Sequence, residues 1–148
     1  MRPIVTTRQV PPHITRASAG VRGVLTAVCA GLLFFPWHQA SGEPVCSGAT
    51  HYGLRLPILL LVVLVSVLFA RVSLGRTLPW CATPIALASG IVTTFAAAAA
   101  LSITADGGHA TVVTSVGKAA DLFRSFQWVL VALGMWQIYL HGSAALRR

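Results

Sequence analysis

The chain has 148 residues, of which 55% are hydrophobic and only 9% charged, with a mean hydropathy of +0.76. Soluble domains carry about 25% charged residues, so this composition excludes an ordinary water-covered globule and favours the membrane class. The formal net charge of +8 does not make a nucleic-acid binder, because the basic residues are scattered singly, with no basic helix and no aromatic platform among them.

Residues 1–20 contain Pro3, Pro11 and Pro12 and three separated arginines, Arg2, Arg8 and Arg16. Prolines at that density break a helical period, and the reading is a flexible cytoplasmic tail. The first apolar run, Val24–Trp37, is short, so a spanning helix over about 22–40 needs Arg22 and Gly23 at one end and His38–Ala40 at the other. A basic stretch before a short apolar run also fits a signal peptide. The bulky Phe34, Phe35, Pro36 and Trp37 occupy the positions where cleavage wants small residues, so an uncleaved helix is preferred, with Trp37 in the interfacial belt.

Ser41–Arg55 reads as a loop broken by Gly42, Pro44, Gly48 and Gly53. The second helix, about 54–74, contains LPILLLVVLVSVLFA, a run apolar around its whole circumference. A soluble helix of that length would show a polar face, so this is the clearest transmembrane segment. Arg71–Trp80 is a short basic turn. Pro84 is expected to open the third helix, about 84–104, in the first turn where a missing N–H costs nothing.

The third helix is built from small residues, among them Ala86, Gly90 and the run Ala96–Ala100. Ala86 and Gly90 form a small-xxx-small pair of the kind that lets helix backbones approach in lipid. Ala105–Ala120 is a second loop. In the fourth helix, about 122–141, Gln127, Gly134, Gln137 and His141 fall within about an 80° arc, with Arg124 just beside it. Trp128, Trp136 and Tyr139 lie on the other side, so the stripe is expected to face protein and the aromatics lipid.

With the N-terminus cytoplasmic, Arg2, Arg8, Arg16, Arg22, Arg71, Arg76, Arg147 and Arg148 fall inside and Arg55, Lys118 and Arg124 outside. The positive-inside rule selects that orientation. The expected fold is an all-α four-transmembrane-helix bundle over residues 21–142, with both termini cytoplasmic and 143–148 a short tail. Ten of the eleven basic residues are arginine and there is no asparagine. That bias suggests a GC-rich bacterial genome and hence a bacterial inner membrane.

Three observations bear on function. His51, His109 and Cys46 fall on the outer side, with His38, Glu43 and Asp106 nearby in sequence. Imidazole, thiolate and carboxylate are ligands for zinc or copper, although no pair has tight ligand spacing, and polar loops explain the same residues. Cys29, Cys46 and Cys81 form no CxxC, which argues against disulfide exchange. No carboxylate lies inside a helix and no catalytic motif is present. The expectation is a non-enzymatic accessory or scaffold subunit, partnered by lipid and by other membrane subunits or itself. The alternative is a self-associating small transporter or permeation unit, with a metal cation as a candidate cargo.

Overall fold

The computed structural model describes residues 10–38, 46–76, 79–105 and 117–146. Its long helices are α1 (Pro12–Leu32), α3 (Arg55–Arg76), α4 (Pro79–Ala105) and α5 (Gly117–Ala145). Between α1 and α3 lie a minimal antiparallel pair, β1 (Pro36–His38) with β2 (Cys46–Ser47), and the short helix α2 (Gly48–Tyr52). The architecture is therefore helical. Two of the helices are long and apolar enough to cross a membrane, α3 over Arg55–Val72 and α4 over Thr83–Ala105.

The long helices pack in a ring, α1 on α3, α3 on α4, α4 on α5 and α5 back on α1. One apolar cluster joins Cys29 and Leu33 near the end of α1, Leu56 and Leu60 at the start of α3, Ala97 and Ala100 of α4, and Phe123 near the start of α5. Successive long helices therefore run in alternating directions. The buried positions recur three and four residues apart: Leu56, Leu60, Val63, Val67 and Ala70 on α3, and Phe123, Gln127, Leu130, Gly134, Gln137 and His141 on α5. That spacing is the seam of near-antiparallel, left-handed helix packing.

Several expected boundaries are corrected. Helix α1 spans Pro12–Leu32 rather than 22–40, so residues 12–20 are helix and not tail. The paired prolines start it instead of preventing it: Pro11 is the N-cap with extended ψ and Pro12 is the first helical residue, where proline has no N–H to lose. The helix stops before Pro36, which disfavours helical backbone at the residue ahead of it. Trp37 is thereby taken out of any interfacial belt. It is buried, donates from Nε1 to the Leu32 carbonyl (2.8 Å), and packs against Tyr52 and Phe123. Gly48 is required beside it, since a Cβ there would lie 2.7 Å from the Trp37 ring. Helix α4 opens at Pro79, which leaves Pro84 inside it; the bond lost would have gone to the Trp80 carbonyl, close to the helix start. The expected loop 41–55 contains β2 and α2, the latter capped by Ser47, whose hydroxyl accepts from the Thr50 N–H (3.2 Å).

Candidate functional site

The interior is polar where α1, α4 and α5 meet. On α1 the buried seam reads Thr15, Ala19, Arg22, Thr26, Cys29 and Leu33. Arg22 is 0% exposed. This corrects its place as a charge at the helix end: the helix begins ten residues earlier, and the seam spacing turns Arg22 inward. The residues between the seam positions, including Val21, Val24 and Val28, are the exposed ones.

Helix α4 meets the guanidinium with hydroxyls. Arg22 Nη1 donates to Ser89 Oγ (3.0 Å) and to Thr93 Oγ1 (2.9 Å). The Thr93 hydroxyl spends its own hydrogen on the Ser89 carbonyl (2.8 Å), so its lone pairs are turned to the arginine. Ser89 and Thr93 lie one turn apart and share a face, as i and i+4 must. Thr26 donates to the Arg22 carbonyl (2.7 Å), a back-bond that lets a helix interior hold a buried hydroxyl.

Helix α5 supplies Gln137 and His141, both buried, and His141 Nε2 shares a 3.3 Å hydrogen bond with Thr15 Oγ1. Among the described residues Arg22 Nε and Nη2 and both polar atoms of the Gln137 amide have no hydrogen-bond partner. Further along the same helix Gln127 lies against the Cys29 thiol, and its Nε2 is also unpartnered.

The five stripe residues of the fourth helix are thus divided by position. Gln127, Gly134, Gln137 and His141 are buried. Arg124 is exposed and reaches sideways, its Nη2 donating to the Thr104 carbonyl (2.8 Å) at the end of α4. Trp128, Trp136 and Tyr139 face outward. Gly134 is where α4 and α5 touch backbone to backbone: a Cβ on it would meet the Gly90 carbonyl and the Thr94 N–H at 3.0 Å, and would collide with Thr94 Oγ1. A Cβ on Gly90 would meet Gln137 Cγ at 3.0 Å. Ala86 is buried one turn before Gly90.

Of the metal-ligand set, His109 lies outside the described residues, as do the side chains of Cys46 and His51. Among the described residues no group of three potential ligands converges.

Hydropathy does not reveal the Arg22 cluster, because the buried face of α1 is not an apolar run. Its period is carried instead by small and polar residues, Thr15, Ala19, Arg22 and Thr26, at alternating spacings of four and three. No family model, curated protein or solved structure matches the chain.

Proposed function

We propose that the protein is a polytopic inner-membrane subunit of bacterial origin, with α1, α3, α4 and α5 all spanning and a non-catalytic accessory or scaffold role in a larger assembly. One observation carries the reading: the helix exteriors are largely apolar while several strongly polar side chains are buried beside the apolar core. Val65, Leu68, Phe69, Phe95, Trp128, Trp136 and Tyr139 are exposed, whereas Arg22, Gln127, Gln137 and Thr93 are buried. Water would reverse that arrangement; lipid favours it. The four helices have 21, 22, 27 and 29 residues, about 31 to 43 Å at 1.5 Å per residue, which suits a hydrocarbon core of ~30 Å.

Removing Arg22 from the topological count leaves Arg2, Arg8, Arg16, Arg71, Arg76, Arg147 and Arg148 on the side assigned to the cytoplasm, still against Arg55, Lys118 and Arg124. The orientation is therefore kept. A membrane-impermeant maleimide applied to intact spheroplasts should label Cys46 and leave Cys81 unlabelled; the converse pattern inverts the protein.

A bundle with an apolar exterior and no buried carboxylate among the described residues suits lateral packing against other membrane helices. Affinity purification in mild detergent tests this: stoichiometric foreign membrane subunits support the accessory role. A homo-oligomer with bound zinc or copper, lost in both His51→Ala and His109→Ala, supports a self-assembled metal-handling unit instead. The fixed positive charge of Arg22 weighs against a cation path through a single bundle.

A further inference from the structure

A guanidinium is permanently charged, and enclosing one without a counter-charge is among the most costly arrangements a fold can hold. The chain has three acidic residues, Glu43, Asp106 and Asp121. Asp121 is exposed on the first turns of α5, about 24 Å of helix from Gln137. Asp106 follows the last residue of α4, about 18 Å along the axis from Ala105 back to Thr93. Glu43 precedes β2 in sequence, and just after β2 the Ala49 N–H donates to the Leu33 carbonyl at the far end of α1, about 16 Å of helix from Arg22. Among the described residues no carboxylate stands beside Arg22.

The unpaired part of Arg22 is specific. Nη1 is taken by Ser89 and Thr93, which leaves Nε and Nη2, two parallel N–H donors on one edge of the plane. That edge matches the two oxygens of a carboxylate. The Gln137 amide of α5 is also buried and unpartnered at both polar atoms, and its Cγ would lie 3.0 Å from a Cβ on Gly90, the neighbour of Ser89. A ligand enclosed among groups this buried would have to be small, and a single cation calls for a single negative charge.

We propose that Arg22 is the centre of a binding site between α1, α4 and α5 for a small monovalent anion of the carboxylate class, gripped by the Nε–Nη2 edge. The proposal is independent of the subunit reading: absent partners leave it intact, and absent anion binding leaves the subunit reading intact.

The test uses full-length protein in mild detergent, dialysed into a buffer whose only anion is a bulky sulfonate. ¹³C-formate is titrated with its NMR linewidth and the thermal midpoint as readouts, against sodium chloride at equal ionic strength. Wild type should broaden the formate signal saturably, with acetate competing and chloride at least tenfold weaker. Arg22→Lys keeps the charge but loses the fork, and should weaken formate at least tenfold. Formate binding by Arg22→Lys equal to wild type, or equal responses to chloride and formate, overturns the proposal. Should Arg22→Lys fail to fold, the wild-type titration decides alone: saturable broadening competed by acetate upholds the site, and unbroadened formate removes it.

Discussion

Helices α1 and α3 lie side by side with the same buried spacing and opposite chemistry. The α3 seam, Leu56, Leu60, Val63, Val67 and Ala70, is apolar throughout; the α1 seam holds Thr15, Arg22, Thr26 and Cys29. Outward the two are alike, with Val62, Val65 and Leu68 on one and Val21, Val24 and Val28 on the other. In water the hydrophobic effect ties burial to apolarity. On the proposed reading of a bundle in lipid that tie is cut, and the interior is chosen by fit and by hydrogen bonding. Period survives as a guide to burial where hydropathy does not.

The difference is broken most severely by exchanging the chemistry of the seams. Val63→Arg puts a guanidinium among Ala19, Val67 and Ala96, where no Ser89–Thr93 pair receives it. The cost of an unpaired buried charge is at least several kcal/mol, and the variant should yield no monodisperse protein by size-exclusion chromatography. A well-behaved Val63→Arg protein would mean that this seam faces water. Gly134→Leu comes next. Its side chain would drive α4 and α5 apart, an overpacking penalty of about 1–3 kcal/mol or more, seen as a clear fall in the detergent thermal midpoint. Gly90→Leu should act in the same direction through Gln137, and an unchanged midpoint in both would remove the close α4–α5 contact.

A gentler pair sharpens the contrast. Ser89→Ala with Thr93→Val strips the acceptors from Arg22 Nη1, each worth about 1.5–3 kcal/mol as a bond to a charged group. Ser66→Ala on α3 removes a hydroxyl that only donates to the Val63 carbonyl of its own helix (2.8 Å), and should stay within about 0.5 kcal/mol. Comparable losses from the two changes, measured by thermal unfolding, would erase the distinction between the seams.

Much of the helical layout is legible without coordinates. The run around Leu56–Ala70 announces α3 because nothing in it is polar, and the arc of Gln127, Gly134, Gln137 and His141 is visible because a few polar residues stand out on an apolar helix. Arg22 stayed hidden for the converse reason. Its neighbours on the seam are threonine, alanine and cysteine, so no hydropathy contrast marks the face, and an arginine beside an apolar run resembles an anchor. Sequence does not place Trp37 because its surroundings come from three separate parts of the chain: Leu32 at the end of α1, Gly48 and Tyr52 of α2, and Phe123 of α5.

The seating of Trp37 also sets the character of one end of the interior. At that end the described interior is mostly carbon, from the indole, Phe123, Leu33 and Leu56, with Gln127 deeper in and the buried Thr104 hydroxyl turned back onto its own helix, donating to the Ala100 carbonyl. At the other end the interior is edged by Thr15 and His141, joined by a single 3.3 Å bond. The described interior therefore has a polar end and an apolar end, so the two ends of one seam answer to different chemistry.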